Sequence, residues 1–136
     1  MKLSLNEIAR RQPVWWALSE LFLDTEHSQE WLRKLAETIQ NAAFSLNETH
    51  DIFLTEVAPA FYLNHLSVAG EWKGWSETYV EERVTQYLRS SAASRFLNLR
   101  MSKLVRPETS WKAFSPVLEE VLKSSAAAPA PEASSP

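Results

Sequence analysis

Apolar residues recur along most of this chain at steps of three and four, the spacing that lines one face of an α-helix. Val14, Leu18, Leu21 and Phe22 form one stripe, with Trp15 and Trp16 flanking it. Trp31, Leu32, Leu35, Ala36 and Ile39 form a second, and Ile52, Phe53, Val57 and Phe61 a third. Others run through Tyr79, Val80, Val84, Tyr87 and Leu88, and through Trp111, Phe114, Val117, Leu118, Val121 and Leu122. Start signals match these stripes. Ser4-Leu5-Asn6-Glu7 and Ser45-Leu46-Asn47-Glu48 have the spacing of capping boxes, and Ser28 and Ser76 stand where a helix needs an N-cap.

The prolines divide the pattern further. Pro13 suits a first helical turn, so a short helix after Ser4 and a second from Pro13 to near Leu23 are expected. The third helix closes at Asn41 to Phe44. Pro59 predicts a kink or a split in the fourth, and Pro116 an interruption or a start in the last. Phe96, Leu97, Leu99, Met101, Leu104 and Val105 predict a helix from about Ala92, although its entry is rich in serine.

No alternating pattern points to strands. The chain has only two glycines, Gly70 and Gly74, both in one loop, which leaves little material for hairpin turns. The expected fold is therefore all-α: a single compact bundle of about five to seven helices over residues 1–123. From Ser124 to Pro136 only Ala, Ser, Pro and one Glu occur, a composition that buries too little to offset the entropy of ordering it, and a disordered tail is expected there. With 136 residues, 45% hydrophobic, and six tryptophans, the chain can bury a core without a staple. No cysteine is present, which removes thiol chemistry and Cys-based zinc sites. No apolar run reaches the roughly 20 residues of a membrane span, and no secretory leader is visible, so a cytoplasmic protein is expected.

Charge changes the picture. Residues 20–82 hold twelve acids against three bases, whereas residues 83–107 hold six bases and no acid. Either the two segments pack together and neutralise each other, or one remains outward and attracts an oppositely charged partner. The basic segment, with Arg89, Arg95, Arg100 and Arg106, raises a regulatory or nucleic-acid-associated role as the alternative reading, but no nucleic-acid motif accompanies it and the sequence pI is 5.6. Asp24, Glu26, His27 and Glu30 cluster, and His50, Asp51 and His65 lie elsewhere, yet neither a Glu-x-x-His pair nor a His-Glu-x-x-His motif occurs. A small enzyme or metal-binding domain is thus the second alternative. No catalytic residue, cofactor or metal is assigned.

Two segments stand out as surfaces. Asp24-Thr25-Glu26 joins two helices, where its polar groups can satisfy exposed amides. Gly70-Glu71-Trp72-Lys73-Gly74-Trp75 offers two tryptophans on a tight loop, either anchored in the core or presented as an interface hot spot. Ala17-Leu18-Ser19-Glu20-Leu21-Phe22-Leu23-Asp24-Thr25-Glu26, Glu56-Val57-Ala58-Pro59 and Asn64-His65-Leu66-Ser67-Val68-Ala69-Gly70-Glu71-Trp72 together resemble a family of small bacterial helical proteins of unknown function. The resemblance spans roughly residues 4–85, and His65 departs from an apolar position in its pattern. It implies an immunity-type partner of a secreted toxin and carries no active-site residues. The expectation is a non-enzymatic protein-binding module, a monomer or weak homodimer, that occludes a toxin with an acidic face and an aromatic anchor. The candidate partner-binding residues are Asp24, Glu26, Glu71, Trp72, Trp75 and Glu77, with no membrane and no nucleic acid as partner.

Overall fold

The computed structural model describes residues 3–22, 28–66 and 76–127, and these are helical almost throughout. α1 (Leu5–Ser19) runs into a 3₁₀ turn at Glu20–Phe22. α2 (Gln29–Asn41) follows, then α3 (Leu46–Ile52), a π-helical turn (Phe53–Val57) and α4 (Ala58–Leu66) in one unbroken rod. α5 (Glu77–Arg89), α6 (Ala92–Ser102), a 3₁₀ turn (Lys103–Val105) and α7 (Pro107–Ala127) complete the order. Among the described residues there is no strand.

The predicted caps form. Ser4, Ser28, Ser45 and Ser76 each accept the main-chain N–H three residues on. At Ser45 the box is reciprocal, because Glu48 Oε1 accepts the Ser45 N–H at 2.9 Å. At the first helix Glu7 turns instead to Arg11 and Arg10. α2 ends with Ala43 in the left-handed region at φ 65°, a conformation normally given to glycine or asparagine.

The prolines do not break the helices where the sequence suggests. Pro13 lies inside α1, so the two short helices expected around it are one. Pro116 likewise lies inside α7, which begins nine residues earlier at Pro107. In both cases the carbonyl that proline leaves unbonded belongs to an exposed residue, Ala9 or Lys112, where water can satisfy it. Pro59 is buried, and the fold handles it differently. The turn ahead of it is widened, with the Ala58 N–H donating to the Phe53 carbonyl five residues back. A turn widened in this way is one in which a proline just beyond it can be accommodated, and the rod passes through Pro59 without splitting. α7 also continues to Ala127, four residues past Lys123, where the composition changes. Ser124 to Ala127 contain no proline, and alanine is the best helix former.

α1 is the centre of the packing, flanked by α2, α5 and the π-turn, while α7 lies along α2 and α6 leans on α4. The expected stripes face inward: Val14, Leu18, Phe22, Leu35, Ile39, Phe53, Val57, Phe61, Val80, Val84, Phe114 and Leu118 are buried. Trp15, placed by sequence beside its stripe, is fully buried. Ring contacts run from Phe22 to Phe53 to Trp111 to Phe114 at centroid separations of 5.5, 5.9 and 6.1 Å, which ties the 3₁₀ turn after α1, the π-turn and α7 together.

Candidate functional site

An amphipathic surface helix normally turns its apolar stripe toward the core. α6 does the reverse. Phe96, Leu97 and Met101, with Leu104 on the following turn, are 62, 60, 39 and 67% exposed. The side that rests on the protein carries Ser94, Arg95, Asn98 and Ser102 instead. Asn98 Oδ1 accepts the Tyr62 hydroxyl at 3.1 Å, its amide donates to the Ser94 carbonyl at 2.9 Å, and the buried Ser102 hydroxyl donates to the Leu99 carbonyl at 2.7 Å. Arg95 donates to the carbonyls of Leu88 and Ser90, and the Tyr87 hydroxyl donates to the Arg95 carbonyl. Burial pushes the Tyr87 hydroxyl above its usual pKa; Arg95 opposes this and Glu56 adds to it. Polar groups satisfied on the inside leave the apolar side chains outward.

Beside this ridge lies a groove of about 620 Å³. Leu54 and Thr55 of the π-turn form one wall, Leu99 and Lys103 another, and Arg106 to Thr109 the end. Two exposed bases, Lys103 and Arg106, and one exposed acid, Glu108, line it, and Arg106 sits at φ 52° just ahead of Pro107. Glu108 is engaged by His50, whose Nε2 lies 3.1 Å from Oε1, and the imidazole stacks on Trp111 at 4.6 Å. Arg100 lies over the Phe96 ring at 5.6 Å.

Among the described residues no ion pair joins an acid of residues 20–82 to a base of residues 83–107. Two of the six bases are nevertheless occupied by the protein itself: Arg83 donates to the Ala60 carbonyl and the Tyr79 hydroxyl, and Arg95 to the carbonyls named above. That reduces the set left to meet phosphates.

The acidic segment is not one outward plate. Glu20 and Glu56 are buried. Glu56, in the π-turn, is paired with Arg11 and accepts the Trp15 indole N–H at 2.8 Å. Arg11 also donates to Glu7 at 2.7 Å, so one guanidinium joins two carboxylates. Burial works to lower the Arg11 pKa, but the two acids outweigh it and hold it above the usual value. The hydrogen bond from Arg11 in turn holds Glu7 below the ordinary carboxylate range. Glu37 is paired with Arg33, Glu48 caps α3, and Gln12 donates to Glu81. Among the described residues no group of three His, Asp or Glu side chains is arranged to hold a metal ion.

Of the residues singled out by sequence, Glu77 is exposed in the first turn of α5, behind the Ser76 cap. Asp24, Glu26, Glu71, Trp72 and Trp75 lie outside the described residues, as does the side chain of His65. Sequence reading missed Glu56 and the α6 ridge. Glu56 carried a usable signal, an acid next to the apolar run Val57 to Phe61. For α6 the hint was the polar series Ser94, Asn98, Ser102 at steps of four. That series does not say which side is inward. No helix of the described residues is long and apolar enough to cross a membrane.

Compared with known proteins, residues 9–123 match the model of a domain of unknown function, DUF7079. No curated protein and no solved structure matches. The match reaches well past residue 85 and includes the basic segment and α6, and the chain belongs to this uncharacterised family.

Proposed function

We propose that the chain is a non-enzymatic protein-binding module of the cytoplasm, an immunity-type inhibitor that occludes a bacterial toxin, and that it holds its partner on the outward face of α6. The reading is supported by one observation, the inversion of α6: four large apolar side chains stand outward while Asn98 is hydrogen-bonded to Tyr62 and Ser102 is buried. Four large apolar side chains exposed on one short stretch exceed the scattered single ones normal on a surface with no partner. Each of these side chains would remove on the order of 100 Å² from water on docking, about 2.5 kcal/mol at ~25 cal/mol per Å² before the cost of association is subtracted. A central apolar patch with a charged rim is the anatomy of an interface hot spot. Occlusion needs no reacting group on the inhibitor, and a toxin as the partner is what the family resemblance of residues 17–26, 56–59 and 64–72 implies.

The test is growth protection. Reading frames adjoining this gene are expressed singly in a heterologous bacterium, and those that arrest growth are paired with this chain. Protection by the wild-type chain, lost in Phe96→Asp with Leu104→Asp, is the expected result. Both positions are exposed, so the variant should keep wild-type stability within about 0.5 kcal/mol. No protected toxin among the neighbours overturns the immunity role, and full protection by the stable double variant overturns the α6 surface.

A further inference from the structure

The chemistry of the α6 face also specifies what it receives. Resting on the reading of α6 as a protein-binding surface, we propose that this face and the adjoining groove take an acidic amphipathic helix of the partner protein.

Three features lead there. The first is charge. The apolar ridge is bordered by Arg100, Lys103 and Arg106, and residues 83–107 contain no acid to offset them. Glu108 is the one acid that lines the groove, with His50 Nε2 in hydrogen-bond reach of its carboxylate, and Lys103 and Arg106 outnumber it there. A partner bearing carboxylates is attracted and correctly oriented, whereas a basic one is repelled.

The second is backbone chemistry. With no strand among the described residues, they offer no sheet edge to which an extended segment could add. An extended peptide laid across apolar side chains would gain no main-chain hydrogen bonds from them and would depend on water for its own N–H and C=O groups. A helix brings those groups satisfied, and its side chains stand in rows that match the rows of another helix.

The third is shape. Ridge and groove lie side by side, with Leu99 and Lys103 on the wall they share. A rod-like ligand with an apolar stripe fills the concavity while its flanking carboxylates reach Lys103 and Arg106. A flat lipid surface would meet the ridge and leave the groove of about 620 Å³ unfilled. The chain's own end does not have this chemistry, because residues 128–136 hold a single acid, Glu132, among three prolines.

The test uses the full chain immobilised against a display library of helix-forming peptides with randomised faces. Enrichment of peptides with apolar residues at three- and four-residue steps flanked by Asp or Glu is expected. A synthetic representative should bind at least about tenfold more weakly to Phe96→Asp with Leu104→Asp, and likewise to Lys103→Glu with Arg106→Glu. Replacing the peptide's acids by lysine should restore binding to the charge-reversed variant. Failure to enrich any peptide, enrichment of neutral or basic ones, or binding indifferent to the α6 variants overturns the proposal. A parallel arm measures co-sedimentation with phosphatidylglycerol vesicles; sedimentation that depends on Phe96 and Leu104 overturns it in favour of an anionic membrane surface. If growth protection depends on α6 while the enriched peptides are not acidic, the protein-binding role stands and this partner chemistry falls.

Discussion

Replacing Arg11 by methionine tests the buried charge centre that joins α1 to the π-turn. The substitution keeps much of the side-chain volume and removes the guanidinium that Glu56 shares with Glu7. Glu56 has 8% of its side chain exposed and Arg11 has 22%, so the carboxylate would be left inside the protein with the Trp15 indole N–H as its remaining named donor. Breaking a buried pair from one side costs roughly 3–5 kcal/mol, and the partial exposure of Arg11 places the expected loss near the lower end, at about 3 kcal/mol. For a chain of this size that corresponds to a fall in Tm of about 10 °C. The cost should be conditional. With Glu56→Leu in the same chain no charge is stranded, and most of the loss should return, leaving about 1 kcal/mol for the unpaired indole N–H. Glu56→Leu alone also strands the indole N–H, at about 1 kcal/mol, so guanidinium unfolding followed by tryptophan fluorescence should give a coupling of about 3 kcal/mol across the four corners of the cycle. If Arg11→Met costs less than about 1 kcal/mol, or if the two substitutions add without coupling, the carboxylate is not held as described.

Two further outcomes follow from the caps and from the outer arm of the same centre. Ser45→Ala removes one half of the reciprocal box at the start of α3 and should cost about 1 kcal/mol in chemical unfolding. Because Arg11 lowers the Glu7 pKa in the folded protein, the stabilisation that Glu7 supplies is fully present above its unfolded-state value and is lost as pH falls through the lower folded value. Glu7→Gln should therefore flatten that portion of the acid limb of a stability-against-pH curve measured by thermal unfolding; an unchanged limb argues against the Arg11 to Glu7 bond.

Much of the scaffold is legible locally. A capping serine and the N–H it accepts lie three residues apart, and an apolar stripe repeats within a single turn, so Ser28, Ser45, Ser76 and the inward rows of α1, α2, α5 and α7 can be read from short windows. The prolines show where that logic stops. Pro13, Pro59 and Pro116 have the same local chemistry, yet two pass through a helix because the carbonyl they free faces water, and the buried one requires a π-turn. Exposure is not a local property.

The same reason separates what the sequence by itself determined from what only the tertiary structure decided. Helix content, the main starts and an aromatic-rich core follow from propensity, capping and period, all of which act between residues a turn or less apart. The fate of charge and of apolar surface does not. Glu56 is neutralised by Arg11, 45 residues away in sequence, and Asn98 is turned inward by the hydroxyl of Tyr62, 36 residues away. Those pairings place an acid of the negative segment inside the protein and set the apolar side of α6 outside. Each depends on the free energy of satisfying a buried polar group with a partner that only folding brings near.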